Sequence, residues 1–267
     1  MKKLAVCGKG GSGKSTIVCL LAQAISNRGH HVLVVDSDES NSGLYRLLGF
    51  DRPPYPLMES IGGKKGLKQK LGAKLPPGES DAPTTLLGQA EIHVSDIPGE
   101  HVLKRDSIAL VSIGKILQPL EGCACPMGVL SREFLNKLAL NDNEVAIVDM
   151  EAGVEHFGRG VETSVDSILI TVEPSFESIE LAERMNKLAT GIGVGNIWAI
   201  LNKTTSAKLA SRLEAELSRS NIRVAGSIPY DAQIFQACLE GRAIRSSKAT
   251  KDLGNLLDIL LKDERLT

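Results

Sequence analysis

Leu4-Ala5-Val6-Cys7-Gly8-Lys9-Gly10-Gly11-Ser12-Gly13-Lys14-Ser15-Thr16 runs from an apolar stretch through a glycine-rich turn into a segment of helical periodicity. The apolar stretch predicts a strand over Leu4–Cys7, and the periodic segment predicts a helix over Lys14–Asn27. Between them, Gly8 to Ser15 fits G-x-x-x-x-G-K-[ST] in the strand–loop–helix context that this motif needs. The glycines let successive backbone N–H groups turn inward around phosphate oxygens, and the helix start adds a partial positive charge. Such a loop binds nucleotide phosphates through Gly10, Gly11, Ser12, Gly13, Lys14, Ser15 and Thr16. Lys14 is expected to reach the β- and γ-phosphates, and the Ser15 hydroxyl to bind Mg²⁺.

The rest of the chain continues the alternation. Nearly continuous apolar runs at Val32–Val35, Ile108–Ser112, Val145–Val148, Ile168–Val172, Ile197–Leu201 and Val224–Ile228 read as strands covered on both faces. Helical patterns fall at 129–140, 176–190, 207–218 and 252–261. This order predicts an α/β fold with a doubly wound, mostly parallel sheet flanked by helices. We expect one domain over residues 1–267. An irregular, proline-rich insertion is expected around 51–106, with too little apolar content for a second core.

Composition narrows the function classes. Lys plus Arg (31) and Asp plus Glu (32) nearly cancel to a net charge of -1, which argues against a generally basic nucleic-acid surface. Aromatic residues are only 3%, too few for base-stacking platforms. No apolar run reaches the length of a membrane span, and the N-terminus shows no export signal. The expectation is therefore a cytoplasmic protein, with no nucleic-acid or membrane partner, whose cysteines act as thiols or metal ligands.

Acidic residues stand where strands end. Val35-Asp36-Ser37-Asp38 places two carboxylates at positions i and i+2, able to face one crevice. The strand Val145–Val148 ends in Asp149, as a magnesium-holding carboxylate requires. Glu151-Ala152-Gly153 follows as a candidate switch, with the Gly153 N–H facing the terminal phosphate. No covalent nucleophile–base pair is evident, so the expected chemistry is hydrolysis of ATP by direct attack of water.

The early lysine, Lys9, makes the loop resemble that of the deviant Walker A ATPases, the group of MinD, ParA, ArsA and the nitrogenase iron protein. The resemblance implies that Lys9 reaches the nucleotide of a facing subunit in an ATP-bound homodimer. It implies that Asp38 orients the attacking water and that Asp36 supports Mg²⁺ beside Ser15 and Asp149. It further implies that Asn202, after a later strand, reads the adenine and that the loop at Ile228-Pro229-Tyr230-Asp231 flanks the base.

Glu121-Gly122-Cys123-Ala124-Cys125-Pro126 puts two thiols in one Gly/Pro loop, where both sulfurs can face one metal ion. Thiophilic ions such as Zn²⁺ prefer about four ligands, so a two-fold dimer carrying this loop on its axis would supply the missing pair. Buried packing is the other reading of these cysteines. An iron–sulfur cluster like that of the iron protein is a third, but its second cysteine would align with Ala152. The combination resembles the CooC family of nickel-insertion ATPases that mature carbon monoxide dehydrogenase, and their acetyl-CoA synthase relatives. That resemblance implies an ATP-dependent metallochaperone carrying Ni²⁺ or Zn²⁺ on Cys123 and Cys125, with a client nickel enzyme as partner. The alternatives are a MinD- or ParA-like spatial-organising ATPase and an iron-protein-like reductase component.

Cys7, Cys19 and Cys238 read as core or neutral positions. His156, following the switch, reads as polar surface, with a transient metal ligand as the other reading, and the lysines at 64, 65, 68, 70 and 74 as a solvated face, with partner docking next.

Overall fold

The computed structural model describes residues 2–63, 66, 88–115, 125–245, 247–254 and 256–258. In chain order they form β1 (Lys3–Gly8), α1 (Lys14–Ser26), β2 (His31–Asp36), α2 (Leu44–Leu47), α3 (Leu57–Ser60), β3 (Val102–Arg105) and β4 (Ile108–Ser112). These are followed by α4 (Cys125–Lys137), β5 (Glu144–Asp149), α5 (Glu155–Arg159), β6 (Ser167–Val172), α6 (Phe176–Gly191) and β7 (Asn196–Thr204). The order ends with α7 (Ala207–Arg219), β8 (Arg223–Pro229), α8 (Ala232–Glu240) and α9 (Ser247–Asp252). A 3₁₀ turn at Val161–Ser164 links α5 to β6.

The strands make an eight-stranded sheet in the order β3-β4-β2-β5-β1-β6-β7-β8. Every pairing is parallel except the antiparallel β3–β4 edge. The expected doubly wound α/β fold is therefore present.

The apolar strands serve two faces by period-2 alternation. On β1, Ala5 and Cys7 join one core with Phe134, Leu130 and Met127 of α4, Met185 of α6 and Leu217 of α7. Leu4 and Val6 point the other way and pack on Ile17, Leu20, Leu21 and Ile25 of α1, with Leu253, Leu256 and Leu257 beyond. Each fully buried aliphatic side chain contributes roughly 1.5–3 kcal/mol. Helices on both faces of one sheet thus hold β1 rigidly at its centre. β1 leads left to β2 across β5, while β6 lies on its other side, so its carboxyl end opens at the topological switch point where such sheets bind ligands.

Several elements differ from expectation: the helices α2, α3, α5 and α8 have no counterpart in the sequence reading, and three further elements depart from it. β3 lies inside the stretch read as irregular; its burial falls from Val102 to exposed Lys104 and Arg105, as suits an edge strand. α4 begins at Cys125 rather than Val129, because Pro126 falls in the first turn, where a missing N–H costs nothing. α9 begins at Ser247, ahead of the expected Asp252, and residues 259–261 of the expected terminal helix lie outside the described residues.

Candidate functional site

The loop between β1 and α1 turns on glycine conformations. Gly8 has φ 147°, and a Cβ there would stand 2.6 Å from the Thr171 carbonyl oxygen. Gly13 caps α1 in the left-handed region at φ 96°, where other residues are strained. No side chain caps α1, and its first turn carries no acidic residue. By contrast, Ser175, Ser206 and Asp231 cap α6, α7 and α8 through their side chains. The N–H groups at the start of α1 are therefore left to whatever anion enters the loop.

Lys14 is buried, and its Nζ has a single weak hydrogen bond, 3.5 Å to the Lys9 carbonyl. Ser12 is fully buried with an unpartnered Oγ, close beneath Gly8. Lys9 and Lys203 share the two oxygens of Glu173, at 3.1 and 3.0 Å. Burial raises Glu173, but the two ammonium groups outweigh it and hold the carboxyl below its usual range. Lys203 also donates to the Gly11 carbonyl. Glu173 was not foreseen; its position just past β6, at the carboxyl end of a strand, is the signal that pointed to it.

Asp36 and Asp149 are partners in the β2–β5 register, so both carboxylates reach the same level of the crevice. Asp149 Oδ2 accepts from Ser15 Oγ at 2.6 Å, while its Oδ1 is buried without a hydrogen-bond partner. Burial, and next the charge of Asp36, pushes the Asp149 carboxyl up to about 7. Burial pushes Asp36 up to about 6, against the opposing charge of Lys115 at 2.7 Å. Lys115 also donates to the carbonyls of Asp38 and Asn41, so one ammonium ties β2 to the loop beyond it. Asn41 Nδ2 donates to Ser15 Oγ at 2.8 Å, leaving that hydroxyl a second lone pair. Lys115, three residues past β4, was also missed, although it too follows a strand's carboxyl end. A hard divalent cation fits this donor set, because the orphaned Asp149 Oδ1 and the free lone pair of Ser15 are oxygen ligands awaiting a partner.

Asp38 is buried, and its Oδ1 accepts from Ser40 N (2.9 Å), Ser40 Oγ (2.6 Å) and Asn41 N (3.2 Å). The carboxylate thus also shapes its own turn. The Gly153 N–H donates to the Gly8 carbonyl at 3.3 Å, so the candidate switch rests against the loop. Arg159 reaches back from α5 to Glu151 and, at 3.4 Å, to Glu39. Gly10 faces the switch, with Ala152 Cβ 3.8 Å from where its own Cβ would stand, whereas Gly11 has open space.

Asn202, at the end of β7, donates from Nδ2 to the Ser12 carbonyl at 2.8 Å and lies beside Gly13. Pro229 ends β8 in an exposed position, next to Tyr230. Thr16 Oγ1 lies 3.7 Å from Cys238 Sγ. Of the expected metal pair, Cys123 lies outside the described residues, and Cys125 is placed only as the first residue of α4. The lysines at 64, 65, 68, 70 and 74 also lie outside the described residues. His156 is a correction: it is buried, 2% exposed, and pairs through Nδ1 with Glu162, so it is no part of a polar surface.

An open helix start behind a glycine loop, at the middle of a doubly wound sheet, defines a phosphate-loop nucleotide-binding protein. Sequence comparison agrees: residues 4–244 match the family described as the CobQ/CobB/MinD/ParA nucleotide binding domain. An uncharacterised ATP-binding protein of Methanocaldococcus jannaschii is 40% identical over 260 residues, covering 97% of this chain and 100% of that protein. The carbon monoxide dehydrogenase accessory protein CooC of Rhodospirillum rubrum is 34% identical over 239 residues, covering 88% and 86%. The septum site-determining protein MinD of Pyrococcus horikoshii, solved in complex with Mg-ADP, superposes with a TM-score of 0.70 at 15% identity, covering 99% and 98%. That last likeness concerns the fold. The chain belongs to the CobQ/CobB/MinD/ParA nucleotide-binding family. No helix among the described residues is long and apolar enough to cross a membrane.

Proposed function

We propose that the chain, read as a single nucleotide-binding domain with an insertion at 51–106, is an ATP-hydrolysing metallochaperone. In this reading it closes as a homodimer on ATP, carries Ni²⁺ or Zn²⁺ on the Cys123 and Cys125 thiolates, and serves a nickel enzyme of the carbon monoxide dehydrogenase class. The observation that carries the reading is the 34% identity with CooC over most of both chains, in a sequence that also holds Lys9 and the Cys123/Cys125 pair.

Within the site, the N–H groups of Gly10 to Thr16 and the Lys14 ammonium hold the phosphate chain. Ser15, Asp149 and Asp36 are the residues that would hold Mg²⁺, which when bound neutralises charge on the phosphate oxygens. Asp38 orients water in line with the γ-phosphorus. As the water oxygen bonds to phosphorus, the bond to the β–γ bridging oxygen breaks, ADP leaves, and the water's proton passes to the released phosphate. Asn202 and Pro229 flank the base. Lys9 is held by Glu173 in the single chain and is freed to meet the partner's nucleotide on closure.

Because Asp38 Oδ1 also shapes its turn, the informative substitution is Asp38→Asn, which keeps an acceptor for Ser40 and Asn41. Turnover is expected to fall about a hundredfold while ATP affinity holds. Phosphate-release kinetics beside equilibrium nucleotide binding check this, and unchanged turnover removes Asp38 from the role.

The function itself is tested by native mass measurement with a non-hydrolysable ATP analogue and Ni²⁺ or Zn²⁺. The expected species is a dimer with one transition ion shared between two chains, counted over any ion held within each chain. Cys123→Ser with Cys125→Ser should lose that ion, and Lys9→Ala should bind nucleotide but fail to dimerise. A chain that stays monomeric with both ligands saturating overturns the proposal.

A further inference from the structure

Beneath the phosphate loop, three potential ligands from separate segments converge in the apolar core. Cys7 is on β1 directly before Gly8, His156 is on α5 three residues past Gly153, and Glu162 is on the following 3₁₀ turn. A ligand atom from each lies within 4.8 Å of the others. All three residues are buried, at 0%, 2% and 0% exposure. Phe157 stacks its ring 4.8 Å from the imidazole, and Phe157 and Val161 are packed in the same core cluster as Cys7.

His156 and Glu162 meet through Nδ1 and Oε1, yet His156 Nε2 and Glu162 Oε2 are both buried without any hydrogen-bond partner. A buried polar atom left unsatisfied costs about 1–3 kcal/mol, and two within one His–Glu pair are uncommon in a packed core. Burial, followed by the Glu162 charge, keeps the neighbouring Cys7 thiol protonated far above its usual range. A cation reverses each of these conditions. It accepts electron pairs from nitrogen and oxygen, and it draws the proton off a coordinating thiol.

We propose that Cys7, His156 and Glu162 form a buried site for a borderline transition ion of the Zn²⁺ class, distinct from the Cys123/Cys125 pair. The mixed sulfur, nitrogen and oxygen set suits Zn²⁺, Co²⁺ or Ni²⁺, and it offers too few oxygens for Mg²⁺ or Ca²⁺. Charge closes as well: one thiolate, one carboxylate and a neutral imidazole balance a divalent ion, leaving no net charge in the core. The site joins β1, where the phosphate loop begins, to the segment following the switch. An ion there would pin α5 and the 3₁₀ turn to the strand under the loop, and would enter only when residues 153–162 move away.

The test uses the full chain with Cys123→Ser and Cys125→Ser, so that the interface thiols are gone, and Co²⁺ as a spectroscopic probe. One Co²⁺ per chain is expected, with a thiolate-to-cobalt charge-transfer band and slow release on dialysis. Adding Cys7→Ala, a small change in a packed position, should abolish the band and weaken binding by more than about a hundredfold. Glu162→Gln should weaken binding while keeping the band. Circular dichroism and thermal melting confirm that each variant is folded. Failure of the doubly substituted chain to take up Co²⁺ or Zn²⁺ would reduce the cluster to a His–Glu pair beside a core thiol and overturn the proposal. A band that survives Cys7→Ala would overturn it too, by assigning the sulfur to Cys19 or Cys238. Since the interface cysteines are absent throughout, neither result bears on the dimeric carrier reading.

Discussion

Lys14→Ala is expected to lower ATP affinity by about two to four orders of magnitude. The Nζ is buried at the mouth of α1, and among the described residues no carboxylate forms an ion pair with it. Among the described residues this ammonium has one weak acceptor, a carbonyl at 3.5 Å, with the Asp149 charge acting on it through space, so its hydrogen-bonding capacity is open to an anion. Charge-assisted hydrogen bonds to phosphate contribute about 1.5–3 kcal/mol each, and the dry pocket strengthens them. At about 1.4 kcal/mol per decade, losing two such bonds gives the expected factor. In the nucleotide-free protein truncation removes a buried ammonium but also a cation that offsets the Asp149 charge, so the melting temperature is expected to stay close to the parent's. Calorimetric titration with ATP and Mg²⁺, beside a melting curve, reads both effects. An affinity within about threefold of the parent would show that the backbone of the loop carries the phosphates alone.

The order of elements and the phosphate loop were legible because they rest on local chemistry. Gly8 and Gly13 adopt angles that other residues resist, and the apolar strands must be covered on both faces whatever lies around them. Asp36 and Asp149 could be placed because each directly ends an apolar run. What escaped depends on the third dimension. Val102–Arg105 is too short and too polar to announce an edge strand among prolines, and only pairing with β4 defines it. Pro126 reads as part of a Gly/Pro loop ahead of a helix at 129, because its place in a first helical turn is fixed only by the fold. Asn202 is close in space to Ser12 but 190 residues away in sequence, so its grip on the loop has no local trace. The short segment Glu155–Arg159 gives no periodicity to read, and the partner that His156 meets inside the fold, Glu162, lies on the next turn. Lys115 and Glu173 lie between these extremes: the rule that ligands meet strand carboxyl ends points to them, but the partners they hold are fixed only by the sheet order.

Asp149→Asn is expected to abolish Mg²⁺-dependent nucleotide binding while making the nucleotide-free protein more stable above neutral pH. The Asp149 carboxyl ordinarily titrates near 3.8, but burial and then the Asp36 charge push it up to about 7 in the folded chain. A raised folded-state value means that the native protein binds this proton more tightly than the unfolded chain does. Its stabilising contribution is therefore complete at pH below about 3.8 and is lost as pH rises through about 7. At about 1.4 kcal/mol per pH unit, ionising the buried carboxylate costs on the order of 4 kcal/mol even with the Lys14 charge opposing it and no divalent ion bound. Asparagine removes that cost, keeps an oxygen to accept from Ser15, and gives up the charge a divalent ion needs. Melting curves of the parent should fall between about pH 4 and pH 7, apart from other groups, and flatten in the variant. Added Mg²⁺ with nucleotide should restore the parent and leave the variant unmoved. Equal pH dependence in both proteins would show that the carboxylate is already satisfied. With the predicted result, the strain at Asp149 is what the folded chain sustains in order to hold the ion and its nucleotide.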